Sequence, residues 1–182
     1  MRHHLLVNLI ILGVLSLAGY GLMLYFDQTA QPTSSPLARA ADFTFTTTSG
    51  ERSSLEAHQG KLVIINFWAS WCAPCVKEFP ALIDVARKNA ADTVLIALSY
   101  DLKDEAMMDF LKKMKAQGHN WEDPAILIAR DETDVAGKLY GITRFPETLI
   151  IDSQGQIRDR FVGADWTADD MNNSLQKLRA VP

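Results

Sequence analysis

Apolar residues come along this chain in two kinds of run, and the kinds alternate. Leu62-Val63-Ile64-Ile65, within Lys61 to Trp68, and Thr93 to Leu98 are continuous and rich in branched side chains, as in strands covered on both faces. The first of these is predicted to be central. Ala125-Ile126-Leu127-Ile128 reads as a shorter strand, and Phe43-Thr44-Phe45-Thr46 alternates like a strand with one covered face. Glu147 to Ile151 and Gln156 to Val162 flank Asp152-Ser153-Gln154-Gly155, a hairpin turn by composition.

Between the strands the apolar spacing lengthens to that of helices. Val76, Phe79, Leu82, Ile83 and Val85-Ala86 mark a helix from Pro74 to about Asn89, with a kink expected at Pro80. Lys103 to Gln117 reads as an amphipathic helix stopped by Gly118, and Thr133 to Tyr140 as a shorter one. Thr167 should cap a last helix to about Arg179, with Asp169-Asp170 in its first turn and Lys177 and Arg179 in its last, as the helix dipole prefers. After the turn at Ser49-Gly50-Glu51, Ser53-Ser54-Leu55-Glu56 suggests a capped helical turn ending near Gly60. Strands alternating with helices predict an α/β fold containing parallel pairs.

Ahead of this pattern lies a different one. Leu5 to Phe26 is a run of 22 residues without a charge, close to the roughly 20 that cross a bilayer as a helix. Arg2 precedes it and Asp27 follows, so an uncleaved signal anchor would keep the N-terminus in the cytoplasm and carry the rest outside. A cleaved signal peptide is the competing reading, and Ala38-Arg39-Ala40 matches its cleavage pattern, although well beyond the apolar run. Gln28 to Ala40, with Pro32 and Pro36, has no periodicity and reads as a tether. The expected organisation is a transmembrane segment over 1–27, a linker over 28–40 and one folded domain over 41–182. A 48% hydrophobic content agrees with a packed domain, and the net charge of −4, with basic residues scattered among acids, argues against nucleic-acid binding.

The chain's two cysteines, Cys72 and Cys75, stand three positions apart where the first continuous strand gives way to a helix. Thiol exchange needs one thiolate to attack and a second thiol to resolve the mixed disulfide. Cys72, at the helix start, lies where unpaired N–H groups and the dipole favour an anion, so it is the expected nucleophile; Cys75, one turn in, should be less exposed and resolve. A permanent disulfide would close a very small loop. A metal site would need further ligands, and His58 and His119 are isolated. No cofactor is called for, since the dithiol is itself the redox group. Ala73-Pro74 supplies neither a positive charge nor a side-chain donor to Cys72, which argues for a weakly stabilised thiolate and a reducing pair.

These residues carry a resemblance. Gly60-Lys61, then Asn66-Phe67-Trp68-Ala69-Ser70-Trp71-Cys72-Ala73-Pro74-Cys75, and later Tyr140-Gly141-Ile142 with Phe145-Pro146-Glu147-Thr148-Leu149-Ile150-Ile151-Asp152, resemble membrane-anchored thioredoxin-like proteins of the TlpA, ResA and CcmG (DsbE) group. The resemblance covers about residues 41 to 165. It implies a thioredoxin fold in which Pro146 is cis and faces the dithiol, preceded by Phe145. Pro146-Glu147-Thr148 is similar to the cytochrome c maturation branch, whereas Cys75-Val76-Lys77-Glu78-Phe79-Pro80 is closer to the ResA and general TlpA pattern. Where thioredoxins carry a buried aspartate, this chain has Asn66, which cannot exchange a proton. Glu78 matches a glutamate that serves near the dithiol in ResA-like proteins and is a candidate for the resolving thiol's proton; an ordinary surface glutamate is the alternative.

The sequence-based expectation is thus a single-pass protein of a bacterial cytoplasmic membrane with its domain outside, reducing protein disulfides through Cys72 and Cys75. Glu78 and Pro146 would assist, and Trp71, Ala73, Pro74 and Phe145 would line the substrate's approach. Electrons would come from a transmembrane thiol reductase of the DsbD or CcdA type, and the resemblance implies apocytochrome c as one target. The rivals are a disulfide-forming oxidase of the same fold and a copper-delivery module. Trp68, Trp121 and Trp166 are expected to cover core, Asp101, Asp104 and Glu105 to form a loop and helix start, and Arg144 to be solvated.

Overall fold

The computed structural model of the chain describes residues 38–180. Its elements, in order, are β1 (Thr44–Thr46), β2 (Arg52–Ser54), a 3-10 turn (Glu56–His58), β3 (Leu62–Trp68), α1 (Ala73–Lys88), β4 (Thr93–Ser99), α2 (Asp104–Ala116), β5 (Ile126–Arg130), α3 (Val135–Tyr140), β6 (Glu147–Ile151), β7 (Ile157–Val162) and α4 (Ala168–Arg179). The segment Leu5 to Phe26, on which the anchor expectation rests, lies outside the described residues. Among those described, no helix is long and apolar enough to cross a membrane.

Five strands form one sheet in the order β5-β4-β3-β6-β7, and β1 pairs with β2 in a separate ribbon. β3 is central, as its unbroken apolar run predicts, parallel to β4 and antiparallel to β6. Side chains alternate across a strand, so β3 serves two cores. Leu62, Ile64 and Trp68 join Phe79, Leu82, Phe110, Leu111 and Leu175 on the face covered by α1, α2 and α4. Val63, Ile65 and Phe67 face the other way, toward Phe43, Phe45, Val135 and Tyr140. This is a thioredoxin fold, a mixed sheet with helices on both faces.

The helix boundaries differ from the expected ones by a residue or two at most positions, and three local readings change. Arg52–Ser54 is a strand paired with β1 rather than the lead-in to a helix; the 3-10 turn that follows has Leu55 at its N-cap position with no side-chain cap, and Ser54 Oγ accepts from Ala57 N–H at 3.2 Å. Backbone pairing also reaches into the expected linker, ahead of residue 41: Arg39 forms an isolated bridge to Gln156, and Ala40 N–H donates to Gly155 O at 2.9 Å. Finally, the buried stripe of α1 is Cys75, Glu78, Phe79, Leu82, Ile83, Val85 and Ala86, while Val76 is exposed. The helical period is right but its phase includes a carboxylate. α1 runs through Pro80 without a break.

Candidate active site

Strand direction determines where the site forms. β3 and β4 are parallel and end together, with Trp68 opposite Ser99, and antiparallel β6 begins beside them, with Phe67 opposite Glu147. The loop carrying Cys72, the loop after β4 and the segment ending in Pro146 therefore meet at one end of the central strands. The Phe145–Pro146 peptide is cis and Pro146 is buried. Pro146 stands immediately before β6, where its missing N–H removes no ladder hydrogen bond that the strand needs.

Cys72 is the N-cap of α1, with extended backbone (φ −89°, ψ 102°), and Pro74 sits in the first turn, where its missing N–H is not needed. Cys72 Sγ and Cys75 Sγ are joined in a disulfide, 2.07 Å apart. Cys75 N–H also donates to Cys72 Sγ at 3.4 Å. The two cysteines are unequally placed: the Cys72 residue retains 7% exposure and Cys75 none. The outer cysteine is the one that another molecule can reach.

Aromatic rings surround that outer side. Trp71 is 65% exposed and stands edge-on to Phe145 with centroids 6.1 Å apart, and Phe145 in turn contacts Tyr100 at 5.1 Å. Leu102, on the same loop as Tyr100, is almost wholly exposed. Ala73 and Pro74, between the cysteines, are exposed as well. Beneath the loop lies Asp101, buried and accepting from Ser70 N–H at 3.0 Å, Ser70 Oγ at 2.7 Å and Ser99 Oγ at 2.6 Å. Expected as an ordinary loop residue, it instead ties the cysteine-bearing loop to the end of β4. Asp104 and Glu105 do open α2, and Arg144 is exposed.

The inner side is polar but sealed. Asn66 of β3 and Thr148 of β6 are register partners, and Asn66 Nδ2 donates to Thr148 Oγ1 at 2.9 Å. The same Nδ2 donates to Glu78 Oε1 at 2.9 Å, while Trp166 Nε1 donates to Glu78 Oε2 at 2.8 Å. Glu78 is only 6% exposed, which excludes the surface-glutamate alternative. Burial pushes its carboxyl up to about 7 from an ordinary 4.5, against the opposing pull of the hydrogen bonds from Trp166 and Asn66. A group poised there can exchange a proton near neutral pH. Because Glu78 is three residues after Cys75, both lie on one face of α1.

Trp68 meets the expectation of core, stacked in a tilted pair with Phe79 at 4.4 Å. Trp121 is also largely core, its indole N–H donating to Leu111 O at 3.0 Å. Trp166 packs against the same core as expected, and in addition its polar edge belongs to the Glu78 network. Its position directly before the Thr167 cap is where an apolar residue often packs onto its own helix, and that is the only local signal it carries. Among the described residues no group of three or more histidines, cysteines or acids is gathered as a metal site would require.

The Redoxin family profile matches residues 36–176. Over 179 residues the chain is 30% identical to the thiol-disulfide oxidoreductase ResA of Bacillus cereus, a match that covers 97% of this chain and 98% of the relative. The thiol:disulfide interchange protein DsbE of Pseudomonas fluorescens is 33% identical over 141 residues, covering 77% of this chain and 74% of that protein. A crystal structure of a thiol:disulfide interchange protein of the thioredoxin family from Chlorobium tepidum aligns with a TM-score of 0.64 at 25% identity, over 80% of this chain and 99% of the other. The span matched by the profile includes the disulfide, its aromatic surround and the cis-proline segment, and on that ground the chain belongs to the Redoxin family, as a thiol:disulfide oxidoreductase of thioredoxin type.

Proposed function

We propose that this oxidoreductase is tethered to the bacterial cytoplasmic membrane by residues 5–26 and reduces disulfides of protein substrates outside it. In the reduced enzyme, Cys72 thiolate attacks one sulfur of the substrate disulfide, and the other leaves as a thiolate carrying the electron pair of the broken bond. The Cys75 thiol gives its proton to the Glu78 carboxylate, and the resulting thiolate attacks Cys72 Sγ. The Cys72–Cys75 disulfide forms and the second substrate sulfur leaves as a thiolate. Both substrate thiolates take protons from water, so two electrons have passed to the substrate. A transmembrane dithiol reductase of the DsbD or CcdA type would restore the pair, and apocytochrome c is the proposed target.

The observation that carries the reducing direction is the poverty of donors around Cys72. Among the described residues the one hydrogen bond to its sulfur is the 3.4 Å contact from Cys75 N–H, and Ala73 and Pro74 supply no side-chain donor. A weakly stabilised thiolate disfavours the reduced form and lowers the potential. The shape of the site supports protein substrates, since the reachable sulfur lies among rings that a polypeptide can cover. Redox titration against glutathione or thioredoxin tests the direction: a midpoint well below about −180 mV is expected, whereas one near the −120 mV or so of strong oxidants would establish an oxidase.

A further inference from the structure

Glu78 is gripped from two directions by segments far apart in the chain. Asn66, in central β3, holds Oε1, and Trp166, between β7 and α4, holds Oε2. The indole is itself well anchored. Thr167, the next residue, forms a capping box with Asp170, and Met171 and Leu175 of α4 are fully buried in the same core as Phe79 and Leu82 of α1. Asn89, at the C-terminal end of α1, donates to Asn172 of α4 at 2.9 Å. The C-terminal helix thus docks along α1 and brings the indole N–H to the carboxyl that stands one turn beyond Cys75.

We propose that Trp166 is a positioning residue of thiol exchange: its indole N–H holds the Glu78 carboxyl in the orientation that serves Cys75, making the segment ahead of α4 part of the active centre. This rests on the reading of Glu78 as the acceptor of the Cys75 proton. With a donor on each oxygen, the ionised form of Glu78 is satisfied at both ends even though it is buried. Loss of the indole donor leaves Oε2 without a partner in a buried site, so the carboxylate forms only at higher pH and its orientation is set by Asn66 alone.

Few other groups face Glu78. Asn66 from β3 and Thr148 from β6 do not titrate. Glu147, next to Thr148, belongs to the opposite face of the sheet and pairs with Arg160 of β7. On α1, Lys77 is exposed, and Cys75 is the group to be served. Around α4, Asp165 and Asp169 are exposed and Asp170 is engaged by Thr167.

The test uses the full chain in detergent micelles, labelled with 15N-tryptophan, so that the four indole N–H groups are seen individually. In the wild-type protein one indole signal should titrate near pH 7 together with Glu78, and Glu78→Gln should abolish that titration. Disulfide-reductase activity measured against pH should show a limb near pH 7, displaced upward by about one pH unit in Trp166→Phe and absent in Glu78→Gln. An indole set that does not titrate, or a Trp166→Phe limb that stays in place while Glu78→Gln removes it, overturns the role of Trp166. A limb that survives Glu78→Gln overturns the reading of Glu78 itself, a separate result. The indole titration needs only wild-type and Glu78→Gln proteins, so it decides the matter even where Trp166→Phe fails to fold.

Discussion

The two sides of the disulfide are built from opposite materials. Outside it, Trp71, Phe145 and Tyr100 form a chain of ring contacts, open to solvent at Trp71 and Tyr100 and partly buried at Phe145. Inside it, Asn66, Thr148 and Glu78 form a hydrogen-bonded group that is almost wholly buried and closed off by Trp166. Trp71 can be covered by another protein without disturbing the core, because most of its area is open, while Phe145 behind it packs on the core and holds the platform in place. The polar group cannot change one member without leaving another unsatisfied, which costs about 1–3 kcal/mol per orphaned group. Partner contact and proton handling therefore meet at the disulfide yet do not share side chains: Cys72 looks toward the rings, and Cys75 lies on the stripe that carries Glu78.

The sharpest way to separate the two sides is to disable the resolving sulfur. Cys75→Ser should abolish multiple turnover and accumulate mixed disulfides through Cys72, recovered from the full-length protein after acid quenching and non-reducing electrophoresis. Absence of adducts would mean that the outer side does not dock protein disulfides. Glu78→Gln comes next. Turnover above pH 7 should fall by about 100-fold or more, while the docked mixed disulfide still forms.

The same substitution has a signature in stability. Glu78 binds its proton more tightly in the folded chain, near pH 7, than at its ordinary 4.5, so folding stability declines as pH rises through that window and is level above it. The decline is at most about 3 kcal/mol, and Gln should flatten it in urea titrations at pH 5 and pH 8. The smallest effect is expected in front. Trp71→Ala should raise KM for a protein disulfide several-fold and leave stability within about 0.5 kcal/mol, as for other exposed positions. Equal losses of stability from Trp71→Ala and Glu78→Gln would erase the distinction between the two sides.

Much of this architecture is legible in the order of the residues. The unbroken run at Leu62–Trp68 is a central strand because both of its faces are buried, and a run of that composition has nowhere else to be stable. Thr167 and Asp170 make the capping box that their spacing invites. Cys72 is a helix cap, and Cys75 lies deeper by one turn, as their spacing implies. The phase of α1 is less plain in the sequence. Counting Val76 as inward puts Glu78 off the buried face, whereas the stripe through Cys75, Phe79 and Leu82 includes it. The correct phase is present in the same residues, but a carboxylate on a buried stripe runs against the usual cost of burying charge.

What the sequence determined by itself is the set of strands and helices, the pair of cysteines at a helix start and the weak donor environment that Ala73-Pro74 gives Cys72. These depend on neighbours within a few positions, where spacing and side-chain chemistry suffice. Only the tertiary structure decided that Asn66 pairs with Thr148, that Asp101 ties down the cysteine loop, and that Trp166 reaches Glu78. Those partners are separated by 82, 31 and 88 positions respectively. Their contact follows from strand order and helix docking, which bring distant segments together without leaving a mark in either one alone.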